Sequence, residues 1–325
     1  MDFGLTDEQR QLADAERSWL ERNDPFTRVR HALDDAALTL DPAAVAHVAE
    51  CGLLALLTPD VGGTHADLAV CSEAHGYAAS SLPIADLAIG CWLIERAGLE
   101  AVAAVAEGRL LVGLGRQSGS PIPMATDMDA FIVTRQSADE EFVALVRNPS
   151  LTVMTTLDLT RSWCRVTDAD SDAVWVPVPT GTLALMRDAL AVHRAFDALG
   201  AATRLLDMTV AYAGQREQFG APIGSFQAVK HHCADMAVGV EASRATLWAA
   251  AMSLDSAEPV RSRAVAAAAA YAKAAASNVA SLALQVHGGI GFTWEHDLHL
   301  LLRRIKVDEA MDGSVTEHRA RLVDA

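Results

Sequence analysis

The residues whose types and spacing could do chemistry together lie between Arg216 and Met236, in the run R-E-Q-F-G-A-P-I-G-S-F-Q-A-V-K-H-H-C-A-D-M. An arginine and a Phe219-Gly220 pair stand where an Ala- and Leu-rich helix must stop, because glycine adopts the left-handed conformation that a helix C′ position asks for. Pro222 follows, and a helix cannot run through it without losing a hydrogen bond. Ser225 is placed to cap the next helix, its hydroxyl accepting from a free backbone N–H. One guanidinium, one ring and several unpaired amides therefore share a corner, and that chemistry suits a phosphate-bearing ligand. For an isolated R-x-x-F-G the alternative is a helical hairpin with a solvated arginine.

A second group stands at Gln285–Thr293, Q-V-H-G-G-I-G-F-T. Gly288, Gly289 and Gly291 let backbone amides approach a phosphate or ring edge with no Cβ in the way, although a Gly-rich helix stop has the same composition. His287, inside this turn, reads as bonded to backbone, with contact to a ligand as the alternative. His231 and His232 are adjacent and point to different faces of a helix, with no Cys or carboxylate at ligand spacing, so no metal site is expected. No G-x-S-x-G elbow supports hydrolase chemistry.

The elements that must position these groups read as mostly α with a small β middle domain. Residues 1–109 form an N-terminal helical domain. Thr6 opens its first helix, a second follows Asp41-Pro42, Thr58–Gly63 is a loop, a helix covers Ala66–Ala79, and Pro83 begins another. Residues 110–180 change periodicity: Leu110–Leu114, Ala130–Thr134, Phe142–Val146, Thr152–Thr155 and Val174–Val178 read as short strands. Residues 181–325 read as a four-helix bundle: Leu183–Gln218, Ser225–Ser253, Val260–Val286 and a last helix from about Asp297. Val240–Ala251 is an apolar stripe explained by core packing.

The totals narrow the function. The chain has 325 residues and a net charge of −16, which disfavours non-specific nucleic-acid binding. Hydrophobic residues make up 51% but aromatic ones only 5%, as Ala- and Leu-rich packed helices require. Five cysteines, with no C-x-x-C pair, read as buried free thiols in a reducing cytoplasm. No signal peptide and no apolar stretch of bilayer length is seen, so a soluble, cytoplasmic protein is expected.

Taken in order, M-D-F-G-L-T-D-E-Q at the start, R-x-x-F-G at Arg216, Q-V-H-G-G at Gln285, R-R-I-K at Arg303–Lys306 and M-D-G-S at Met311–Ser314 resemble the acyl-CoA dehydrogenase family of flavoenzymes. The resemblance is most specific over Arg216–Met236 and Gln285–Ser314 and fades in the middle. It implies an N-terminal helical domain, a shortened β-barrel-like domain and a C-terminal four-helix bundle that also forms the dimer interface. It implies α,β-dehydrogenation of an acyl-CoA thioester with FAD, and an electron-transfer flavoprotein as acceptor. Arg216, Gln218, Phe219 and Gln227 would contact the adenine and pyrophosphate part of FAD. Gln285, Gly288 and Gly289 would reach the FAD held mainly by the neighbouring subunit, and Ser314 is a further cofactor-binding candidate. The base in relatives is commonly a Glu before Gly-Thr; here Asp312 precedes Gly313-Ser314, one methylene shorter. Asp312 is thus the candidate catalytic carboxylate, with a helix-end structural role as the alternative. Where other relatives carry the base this chain has Leu190. The thioester-binding Arg maps near Ala191, a turn from Arg194.

Two ring-side signatures of the family are missing. Arg116-Gln117-Ser118-Gly119 stands in place of Thr-Glu-Pro, and the Lys-x-Trp-Ile-Thr strand has no counterpart. Three readings follow: a short subunit of a heteromeric (α2β2) steroid side-chain acyl-CoA dehydrogenase that shares FAD with a full-length homologous partner, a self-sufficient homo-oligomer using Asp312 as base, or a non-catalytic stabilising subunit.

Overall fold

The structure, a computed structural model, describes residues 4–23, 26–35, 38–115, 119–138, 140–167, 173–256 and 260–323. Arg116–Ser118, and Met1–Phe3 of the opening motif, lie outside the described residues. The chain begins with helices α1 (Asp7–Asn23), α2 (Phe26–Asp35), α3 (Pro42–Glu50), α4 (His65–Ala78), α5 (Ile84–Arg96) and α6 (Val102–Ala106). Their starts follow the local chemistry. The Thr6 hydroxyl accepts from Gln9 N–H at 3.2 Å while the Gln9 side chain accepts from Thr6 N–H at 3.0 Å, a reciprocal cap. Asp41 caps α3 by accepting from Ala43 N–H, with Pro42 in the first turn. Thr64 and Asp67 form a second reciprocal cap at α4. The helix α2 was not among the expected elements; it is short and rich in charge.

Among the described residues seven strands follow: β1 (Val112–Gly115), β2 (Pro121–Pro123), β3 (Ala130–Ser137), β4 (Glu140–Arg147), β5 (Ser150–Met154), β6 (Trp163–Thr167) and β7 (Val176–Val178). They form two small sheets, ordered β1-β3-β4-β7 and β2-β6-β5. Alternation along β3 serves both sides: Ala130 and Ile132 enter the main helical core, while Phe131 and Val133 meet Ile122, Cys164 and Val166 in a small core between the sheets. The strands β2 and β6 were not anticipated, because two prolines bracket Ile122 and the Trp163 run is brief.

The C-terminal segment holds α7 (Thr182–Gln215), a two-residue hairpin of β8 (Glu217–Gln218) and β9 (Ala221–Pro222), α8 (Gln227–Leu254), α9 (Arg261–His287), α10 (Leu298–Ala310) and α11 (Val315–Val323). The expected last helix is broken at Met311–Ser314, where Asp312 (φ 57°) and Gly313 (φ 94°) are left-handed. Ser225 does not cap α8: its hydroxyl donates to the Pro222 carbonyl inside a 3-10 turn, and Phe226 occupies the cap position without a side-chain bond. The helices α4 and α7 cross backbone to backbone. A Cβ on Gly76 would lie 2.1 Å from the Asp197 carbonyl oxygen, and one on Gly200 would lie 2.0 Å from that of Glu73, so only glycine permits this crossing.

Among the described residues, no helix is long and apolar enough to cross a membrane. Cys71, Cys91 and Cys164 are buried, but Cys51 is exposed and Cys233 half-buried, so the expectation of five buried thiols is corrected.

Candidate functional site

Two pairs of residues fix how α7 and α9 run. Near their starts Arg261 Nε donates to Asp188 Oδ2 at 3.1 Å, and at their far ends the rings of Tyr212 and His287 stack with centroids 4.5 Å apart. The two helices are therefore parallel and level. The corner after α7 and the glycine turn after α9 emerge at the same end of the bundle.

At the corner, Arg216 N–H donates back to the Tyr212 carbonyl at 2.8 Å, and Ile223 N–H donates to the Arg216 carbonyl at 2.7 Å. The reversal uses two left-handed residues, Phe219 (φ 55°) and Gly220 (φ 80°). Holding a non-glycine residue there is unfavourable, and it turns the Phe219 ring outward, 96% exposed. The ring packs edge-to-face with Phe226, at 6.1 Å and 84°. Arg216, Gln218 and Gln227 are all exposed, and the Gln227 side-chain amide lies 2.8 Å from His231 Nε2.

At the glycine turn, His287 Nδ1 donates to the Ala283 carbonyl at 2.8 Å, the backbone bond expected of it. The ring is clamped between Tyr212 and the edge of His296, at 4.7 Å and 66°. Burial lowers its pKa, so the ring is neutral and Nε2 is a lone-pair acceptor. That atom is buried and makes no hydrogen bond among the described residues. Beyond it Gly288 (φ 60°) and Gly289 face open space, with nothing within 4 Å of where a Cβ would stand. Gln285 and Gly289 are exposed, and Phe292 is 75% exposed. This end thus offers a guanidinium, three glutamine amides, glycine backbone and uncovered rings, a set that fits an aromatic nucleotide with phosphates.

Asp312 stands elsewhere. Its side chain is 1% exposed, and its Oδ2 accepts from Arg194 Nε at 3.0 Å. Arg194 lies 22 positions before Arg216, about 33 Å along one helix at 1.5 Å per residue. Ser314 serves as the cap of α11, accepting from Glu317 N–H while Glu317 accepts from Ser314 N–H at 2.7 Å. Leu190 is buried one turn from Arg194, and Ala191 is buried in the core.

Around Arg194 lies a buried ionic cluster that was not legible beforehand. Arg194 Nη2 donates to both oxygens of Asp86, at 3.1 and 3.0 Å. One turn on, Asp197 accepts from Arg304 at 2.7 and 2.8 Å and from Arg161 at 2.8 Å. Burial alone would push Asp197 up, but the guanidiniums of Arg161 and Arg304 outweigh it and hold its carboxyl well below the usual range. Asp308, fully buried, is 4.0 Å from Arg194. Burial first, and then the Asp197 charge, push its pKa well above the usual carboxylate range. The signal available was weak: an Arg304–Asp308 spacing of one helical turn.

The Acyl-CoA dehydrogenase, C-terminal domain, family model matches residues 180–324. Acyl-CoA dehydrogenase IpdE2 of Mycolicibacterium smegmatis is 32% identical over 332 residues, covering 98% of this chain and 98% of that protein. Two solved structures share the fold with a TM-score of 0.87. One is the ChsE4-ChsE5 complex from Mycobacterium tuberculosis, at 23% identity over 100% of this chain and 98% of that one. The other is a variant of the Tcur3481-Tcur3483 steroid ACAD, at 22% identity over 98% of this chain and 97% of that one. The motifs of the corner and the glycine turn, the fold and the full-length relative agree: the chain belongs to the acyl-CoA dehydrogenase family, oxidoreductases that act on acyl-CoA.

Proposed function

We propose that this chain is the shorter subunit of a heteromeric acyl-CoA dehydrogenase and holds the nucleotide half of an FAD shared with a full-length homologous partner. The observation that carries this reading is the pairing of exposed Arg216, Gln218 and Phe219 with exposed Gln285 and Gly289 and half-buried Gly288 at one end of a parallel helix pair. When bound, FAD supplies the acceptor for the hydride that leaves the acyl β-carbon. Arg216 neutralises pyrophosphate charge, Gln218 and Gln227 orient the nucleotide by hydrogen bonds, and Phe219 offers a ring face. Gln285 and the open backbone of Gly288–Gly289 meet the cofactor from the second direction.

Further support comes from what is absent at the flavin-ring side. The Thr-Glu-Pro and Lys-x-Trp-Ile-Thr segments that line the ring in relatives have no counterpart in this chain. The candidate base Asp312 is also about 33 Å along α7 from the corner, by helical rise. A partner that brings the ring pocket completes such a chain. The two structural neighbours, a two-component complex and a steroid ACAD, favour a bulky steroid-type acyl-CoA as substrate.

The test is to purify the chain alone and after co-expression with a full-length homologue. The proposal predicts a colourless chain alone and a yellow, acyl-CoA-oxidising complex with the partner. Stoichiometric flavin and turnover without any partner would refute it.

A further inference from the structure

The turn that carries Asp312 is half-buried and held by three side chains, Lys273, His318 and Arg194. The buried Lys273 ammonium donates to the carbonyls of Met311 and of Gly313, the latter at 2.7 Å, gripping the residues on both sides of Asp312. The His318 ring closes over Gly313 so tightly that a Cβ there would lie 2.8 Å from its Nε2. The Asp312 carboxylate itself meets Arg194, which also holds Asp86 and approaches Asp308. A proton-abstracting carboxylate needs a reachable acidic carbon beside it. Beside Arg194, Asp86, Leu190 and Ile84 the cavity is only about 10 Å³, room for one water molecule, whereas small-molecule pockets run to roughly 300–1,000 Å³.

We infer that Asp312 is the fixed counter-ion of Arg194 rather than a base, and that the Asp86–Arg194–Asp312 group is a built plug closing the acyl site of this chain. The inference rests on the proposed heteromeric function and assigns both acyl group and base to the partner. It explains why an aspartate suffices at this position: its task is to reach a guanidinium at 3.0 Å, and nothing in that task requires the longer arm of glutamate. It also explains the left-handed backbone of Asp312, a strain kept in place by Lys273 from below and Arg194 from the side.

The test compares Asp312→Asn, Arg194→Met and the double variant in the co-purified holo-complex, reading thermal midpoint, flavin absorbance and turnover separately. Breaking a buried ion pair on one side is strongly destabilising, so each single variant is expected to lower the midpoint by roughly 5–10 °C. The double variant, which removes both charges, recovers at least half of that shift. Turnover per bound flavin stays within about threefold of the parent in Asp312→Asn and in the double variant, far from the roughly hundredfold loss that misplacing a catalytic group causes. A loss of that size that persists in the double variant after its midpoint has recovered overturns the inference, as does a loss in Asp312→Asn with an unchanged midpoint. If the parent complex itself holds no flavin, the heteromeric reading fails, while the midpoints still report whether Asp312 and Arg194 are coupled.

Discussion

Tyr212 and His287, 75 residues apart in the chain, stack with ring centroids 4.5 Å apart and planes within 18° of parallel. This contact joins the last turn of α7 to the last residue of α9, and so holds the Arg216 corner level with the Gly288 turn. A ring pair of this geometry is worth about 0.5–1.5 kcal/mol beyond its area burial. Replacing Tyr212 by Leu keeps apolar volume but removes the stack. The flavin affinity of the co-purified complex is expected to fall about three- to tenfold, by the same energy range, with the midpoint little changed. Fluorescence titration of the flavin-stripped complex measures this; an unaltered affinity would show that the turn is placed by other contacts.

The crossing of α4 and α7 gives a second prediction. Gly200→Ala forces a Cβ to within 2.0 Å of the Glu73 carbonyl oxygen, so the helices must separate. Overpacking of this kind costs about 1–3 kcal/mol. Urea unfolding of the chain should show a lower midpoint for Gly200→Ala, while Gly214→Ala, with open space around it, leaves the midpoint nearly unchanged.

Asp197 is the carboxylate that two buried guanidiniums share. Asp197→Asn leaves Arg161 and Arg304 with uncompensated charge, a loss of about 3–5 kcal/mol for a buried pair. Chemical denaturation reads this directly. A loss below 1 kcal/mol, the value typical of surface pairs, would mean that water reaches the cluster.

Stability should fall as the pH drops from 6.5 toward 4. Burial first, and for His318 then the nearby Lys273 and Arg321, lower the pKa of His65 and His318 to about 4, from 6.5 for a free imidazole. The unfolded chain takes up these protons near pH 6.5 and the folded chain only near 4, so the histidine contribution is complete above 6.5 and is lost across that window. Glu16 acts in the same direction at lower pH: burial raises its pKa, but bonds from His75 and His47 outweigh this and leave it lowered. Asp255 opposes them, because burial raises it to about 6 and the folded chain protonates first. Denaturation midpoints across this range should decline, and a flat profile would contradict the burial of the two imidazoles.

Much of this was legible in residue order. Thr6 and Asp41 mark helix starts because their side chains accept from amides two or three residues on, a local matter that needs no tertiary knowledge. The Arg216 corner was legible for the same reason, since Phe219-Gly220-Ala221-Pro222 cannot be helical. Ser225 misled because a hydroxyl can equally donate backward, and the Pro222 carbonyl was nearer. The cluster of Arg161, Arg194, Asp197 and Arg304 was not legible. Its members come from a loop and two helices more than 100 residues apart, and charged residues are expected at the surface until their partners are seen. The parallel alignment of α7 and α9, which makes one end of the bundle a site, likewise exists only in three dimensions.

The most direct test of the account is the flavin content of the complex with a full-length homologue when this chain alone is changed. With Arg216→Ala and Gln285→Ala combined here and the partner left intact, the pair should still co-purify but lose most of its bound flavin. A complex that retains full flavin and full turnover with both changes in place would contradict the claim that this chain grips the shared cofactor.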